Sequence, residues 1–88
     1  MEITGNVIEV EKFTGVKDDS TKWTRYEVTI NHQQGQYPKN ATLLFSGEKW
    51  SMLEEMKDKN IRIYFDIDST KYKERNYNRL KAYRYESI

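Results

Sequence analysis

The chain has no cysteine, a single proline, a single histidine and only four glycines in 88 residues. Without a thiol there is no disulfide framework and no thiolate metal site, which suits a reducing cytoplasm. His32 has no second imidazole with which to share a metal and no cysteine to activate, so a histidine-based catalytic centre is hard to assemble. Gly5, Gly15, Gly35 and Gly47 fall in different elements, and none belongs to a glycine-rich phosphate loop. No apolar run approaches the ~18 residues of a membrane span. The Met-Glu-Ile-Thr-Gly start has neither a basic segment nor an apolar stretch, which predicts no signal peptide. Repeats and low-complexity tracts are also missing. The expectation is one soluble cytoplasmic domain, residues 1–88, that is not an enzyme and has no cofactor, metal or membrane partner.

Aromatic residues are plentiful: seven Tyr, three Phe and two Trp. With many β-branched residues beside them, they favour strands. The net charge of +1 hides an asymmetry. Residues 70–88 carry six basic side chains against two acidic ones, a balance of +4, while residues 1–69 balance at −3. A basic end on an acidic body marks either an anion-binding face or a solvated hairpin that keeps a sheet edge from aggregating.

The elements follow from periodicity. Ile3, Gly5 and Val7 alternate with polar residues, then Ile8, Val10 and Phe13 continue in the opposite parity. Such a change predicts a bulged, coiled first strand, with Gly5 placed for a sharp bend. Residues 14–22 read as a loop. Tyr26, Val28 and Ile30 form the inward face of a second strand over residues 23–32, leaving Trp23, Arg25, Glu27 and Thr29 outward. A loop over residues 33–40 holds Pro38, which is expected before a strand and not inside one. Ala41, Leu43 and Phe45 make a short third strand. Trp50, Leu53 and Met56 then share one face of a three-turn amphipathic α-helix, capped by Ser46 or Gly47 and ended by a left-handed Asn60. Trp50 is expected in the core. Ile61, Ile63, Phe65 and Ile67 alternate strictly in a fourth strand. After a polar hairpin over residues 69–76, a fifth strand from Tyr77 to Tyr85 points Leu80 and Ala82 inward. Asp66 and Asp68 share one face, but without further ligands they predict solvation or ion pairs to Arg62 or the neighbouring strand. Three strands, a helix and two strands predict an all-β, five-stranded OB-fold barrel with one α-helix between strands 3 and 4.

Cations and aromatics interleave at three places on this barrel. Lys22, Trp23 and Arg25 lie on strand 2, Tyr37 and Lys39 precede strand 3, and Lys71, Tyr72, Lys73 and Arg75 lie in the last hairpin. Single-strand binders need π-faces for bases and a positive track for phosphates. In an OB barrel these segments surround one groove. A Tyr72–Tyr77 cross-strand pair would account for part of the hairpin on packing alone. It does not account for the outward parity of Trp23.

The opening Met-Glu-Ile-Thr-Gly, the Tyr37-Pro38-Lys39 tripeptide, Gly47, and Phe65-Asp66-Ile67-Asp68 followed by Tyr72, Arg75, Tyr77, Ala82 and Tyr83 resemble a family of small bacterial OB-type proteins. That family is classed as a domain of unknown function and regarded as similar to single-stranded DNA-binding proteins. The resemblance spans nearly the whole chain. It implies a five-stranded OB fold and a role with single-stranded nucleic acid in replication or repair. Tyr72, Arg75 and the aromatic at Trp23 carry over; Ser46 and Asn76 stand where the family often has Trp, so no stacking role transfers there.

The leading expectation is a non-enzymatic module that binds single-stranded DNA, with RNA as an open alternative. Trp23, Tyr37 and Tyr72 would stack bases, and Lys22, Arg25, Lys39, Lys71, Lys73 and Arg75 would track phosphates. The competing expectation is a protein-interaction or assembly domain without nucleic-acid binding, which the near-neutral charge favours. The outward, apolar Leu44 predicts a homo-oligomer, most simply a dimer.

Overall fold

The computed structural model describes residues 1–34, 37–72 and 75–88, with the side chains of 1–32, 39–68 and 79–88. Strands β1 (Glu2–Val16), β2 (Lys22–Gln34) and β3 (Tyr37–Ser46) are followed by a 3-10 helix (Glu48–Glu55), β4 (Asn60–Tyr72) and β5 (Arg75–Ser87). The strands close into a barrel in the order β1-β2-β3-β5-β4. All neighbours are antiparallel except β3 and β5, which run parallel and meet at Leu44 and Lys81. This is the OB arrangement with its helix between strands 3 and 4.

The inward rows are those that period-2 alternation selects. Tyr26, Val28, Ile30, Leu43, Phe45, Ile61 and Ile63 are fully buried with Val7 and Leu53, and Phe65 is nearly so. Leu53 seals one end of the barrel, flanked by the partly buried Trp50 and Met56. Phe45, Trp50 and Tyr85 form a group of tilted and edge-on rings, with Phe45 and Trp50 centroids 4.8 Å apart. Trp50 also donates its indole N–H to the Ser46 carbonyl at 3.0 Å. The tryptophan packs against the core as expected, but it is only partly buried and also lines a surface cavity.

β1 serves two neighbours in succession. Its start pairs with β4, its remainder with β2, and Asn6 pairs with both Asn60 and Asn31. The register shift on β1 lies between Val7 and Glu9, so Ile8 is the extra residue and turns outward. Gly5 does not make the bend. It lies where β1 crosses β2 so closely that a Cβ would sit 2.4 Å from the Asn31 carbonyl oxygen. Phe13 faces outward opposite Arg25 rather than continuing the inward row of Val10. At the closure, Asn6 Nδ2 donates to the Asp58 carbonyl at 3.1 Å, the Val7 N–H donates to the Lys59 carbonyl, and the Asp58 N–H donates to the Val7 carbonyl.

Other boundaries differ from the periodic reading for identifiable reasons. The helix is 3-10 and short, with non-helical φ/ψ at Trp50, and not three α-turns. Gly47 precedes it with φ 110°, a conformation glycine adopts without strain. The left-handed residue after the helix is Asp58 (φ 69°), whereas Asn60 already belongs to β4. Pro38 lies inside β3, opposite Gln33. Among the described pairings only β2 borders β3 there, since β5 reaches it at Leu44, and such an edge position tolerates proline. The hairpins are tighter than expected: β4 and β5 pair out to Tyr72 and Arg75, with Tyr77 opposite Thr70. Ile67 has inward parity but is half exposed, at 50%. The start of the chain reaches β4 only as far as Phe65, whose N–H donates to the Met1 carbonyl, and beyond it β4 pairs with β5 among the described residues.

Candidate nucleic-acid interface

The outer face of β1, β2 and β3 is built by register. Glu11 lies opposite Glu27, Phe13 opposite Arg25 and Gly15 opposite Trp23. Across the other ladder, Arg25 faces Ser46 and Glu27 faces Leu44. Arg25 is the hub of this face. Its guanidinium carbon stands 4.9 Å from the Phe13 ring centroid and 5.6 Å from that of Trp23, within cation–π range. The Arg25 Nε is buried and has no hydrogen-bond partner among the described residues. Trp23 is half-buried, and its indole lies so close to Gly15 that a Cβ there would come within 2.4 Å of the ring.

Arg25 opens onto a groove of ≈ 500 Å³ bounded by Glu27, Thr42 and Leu44 on one side and by Arg79 and Leu80 on the other. Its floor carries a Thr29–Thr42 hydroxyl hydrogen bond of 3.0 Å. Trp23 and Lys22 line a separate hollow of ≈ 270 Å³ beside Gly15, which Glu48 closes. Thr24 directs its hydroxyl at that Glu48 carboxylate over 3.5 Å. Beyond the β1 side lie Glu9 and Glu11. Repulsion from Glu9, first, and then a hydrogen bond to it hold the Glu11 carboxyl above its ordinary range, with Glu27 adding to the effect. The face thus carries its aromatics, Phe13 and Trp23, on β1 and β2, cations at Arg25 and Arg79, and carboxylates at Glu9, Glu11 and Glu27.

Of the residues selected by sequence, Lys22, Trp23 and Arg25 come together here. Lys39 does not. It pairs with His32, seven residues along β2 from Arg25, or about 23 Å at a strand's rise. Tyr37, Lys71, Tyr72 and Arg75 have side chains outside the described set, and Lys73 lies outside the described residues altogether. Asp68 pairs with Lys81 at 2.9 Å, the neighbouring-strand ion pair expected of it. Among the described residues no cluster of three His, Cys, Asp or Glu side chains could hold a metal, and no helix is long and apolar enough to cross a membrane. Sequence reasoning passed over Phe13, which it turned inward, and Arg79, whose outward parity beside Leu80 was the available signal.

Fold and surface together define a small OB-type barrel with an open, arginine-centred groove on its outer face. The chain belongs to the family described as Domain of unknown function (DUF3127), whose model matches residues 2–86. No curated protein matches it.

Proposed function

We propose that the protein binds single-stranded nucleic acid along the Arg25–Arg79 groove, without catalysing a reaction, as a replication or repair module would. The observation that carries this reading is Arg25, a guanidinium within cation–π distance of two aromatic rings and lining the groove, with no acidic partner among the described ion pairs. A cation held in this way offers a phosphate a fixed charge, and the rings beside it offer a base a stacking surface. Lys22, at the Trp23 hollow, extends the positive track.

Titration with labelled oligo-dT across a range of salt tests the reading. Arg25→Ala combined with Arg79→Ala is expected to weaken binding and flatten the log K against log salt slope by about 1.4, two single-strand counterion terms. Trp23→Ala is expected to cost about 1–3 kcal/mol at an unchanged slope. Folded wild-type protein that ignores oligo-dT at ~20 mM salt, where screening is weak, removes the proposal and leaves a protein-interaction domain.

Pairing of two copies stands as a proposal of its own. Leu44, whose outward parity suggested it, is half-buried between the groove and a neighbouring cavity. The expected result by light scattering is a dimer mass. A monomer mass over a hundredfold range of concentration excludes it.

A further inference from the structure

On the far side of Leu44 from the groove, a second cavity of ≈ 260 Å³ opens along the line where β3 and β5 meet. Ser46 and Trp50 wall it on one side and Lys81, Ala82 and Tyr83 on the other, with Lys49 above. Among the described residues its charged lining groups are two lysines, and no carboxylate lines it. The groove, by contrast, contains Glu27.

Two features give this cavity the form of a binding site. The first is the bulge on β5. Tyr64 pairs with Arg84 and Phe65 with Ala82, which makes Tyr83 the extra residue. A bulge re-aims the side chain it carries. Tyr83 is 54% exposed, although its neighbour Ala82 packs on the core. Its ring leans on Tyr64, with centroids 6.4 Å apart and planes 37° apart, and so has support from within the protein. The second feature is charge. Lys49 Nζ stands 5.0 Å from the centroid of the Trp50 ring, and Lys81 reaches the cavity from its ion pair with Asp68. Glu9 and Glu11 lie on β1, beyond the groove on its other side, so a polyanion lying in the groove is repelled from β1 and drawn towards the two lysines.

We propose that a single strand bound in the groove continues across Leu44 into this cavity, where Tyr83 stacks a base and Lys49 and Lys81 hold phosphates. The proposal rests on the nucleic-acid reading and extends it to a second contact region. Thr42 to Ser46 spans about 13 Å of strand, on the order of four nucleotides at stacked spacing.

The test is a set of oligo-dT probes of increasing length, titrated against wild type, Tyr83→Ala, Tyr83→Phe, Lys49→Ala and the Arg25→Ala, Arg79→Ala pair. Wild-type affinity should rise with length and then level off. Tyr83→Ala should level off on the order of four nucleotides earlier and lose roughly ten- to hundredfold on the long probes, while binding the shortest ones like wild type. Tyr83→Phe keeps the ring and should restore the wild-type profile, which separates stacking from a folding defect. Lys49→Ala should flatten the salt slope by about 0.7 on long probes only. If the arginine pair weakens binding but Tyr83→Ala and Lys49→Ala follow wild type at every length, the extension is overturned and the groove stands. If wild type binds no oligonucleotide, both fall. Binding of an acidic peptide in place of DNA, lost on Lys49→Ala, also overturns the extension, because it makes the cavity a protein-docking site.

Discussion

Replacing Phe45 by alanine is expected to cost about 3–5 kcal/mol, the range for truncating a buried aromatic ring. Phe45 has no exposed surface, and its ring meets Trp50 and Tyr85 edge-on at 4.8 and 6.0 Å. Those contacts join β3 to the 3-10 helix and to β5 at once, so the cavity left behind has three elements around it and no single one that can collapse into it. A domain of this length has only ~5–10 kcal/mol of stability, and the variant loses most of it. Urea denaturation followed by tryptophan fluorescence measures the loss. A loss of unfolding free energy below about 1 kcal/mol would show that the ring does not occupy the core.

The second large effect is expected at Gly5. Alanine in place of glycine within a strand ordinarily gains ~0.5–1 kcal/mol, because it restricts the unfolded chain. Here the added Cβ would meet the Asn31 carbonyl at 2.4 Å for the oxygen and 3.0 Å for the carbon. Both are backbone atoms, and the next residue, Asn6, is paired on both sides, so the strands cannot part without opening the barrel. The expected result is a loss of about 1–3 kcal/mol, the usual cost of overpacking, with the sign reversed from the ordinary case. Gly15→Ala is the informative contrast. Its nearest atoms belong to the Trp23 indole, which can swing aside. That variant should melt close to wild type while changing Trp emission. A Gly5→Ala protein at least as stable as wild type would show that the strands do not cross at this distance.

Much of the barrel was legible because one-sided burial leaves a period-2 trace. Tyr26, Val28 and Ile30 on β2, like Ile61, Ile63 and Phe65 on β4, could only face one way. Ile67 continued that pattern and still lies exposed, since parity tells which face a residue takes and not how far the neighbouring strand extends to cover it. The bulge on β1 was legible from its parity change, but Gly5 was credited with a bend when its role is to permit a close crossing. Only the three-dimensional path of β2 reveals that crossing. The helix kept its Trp50, Leu53 and Met56 contacts although its hydrogen-bond type differed, because burial of those side chains decides the element and eight residues suffice for it. On the candidate face, Trp23 and Arg25 were found by outward parity beside an inward row. Tyr83 was not, because a bulge on β5 breaks the alternation that would have assigned its direction.

β4 is held on one side by the first residues of β1 and on the other by the last residues of β5. Glu2 pairs with Tyr64 and Ser87 with Ile61, so one strand joins segments from opposite ends of the sequence. The β1–β2–β3 meander can form from neighbours alone, whereas β4 gains its second neighbour only after the chain has run through β5. Contacts of such wide separation carry a loop-closure entropy that must be met before they contribute anything, and they slow folding. During synthesis the apolar inner faces of the meander therefore stay uncovered until the last strand has been made, and the barrel closes as one late event.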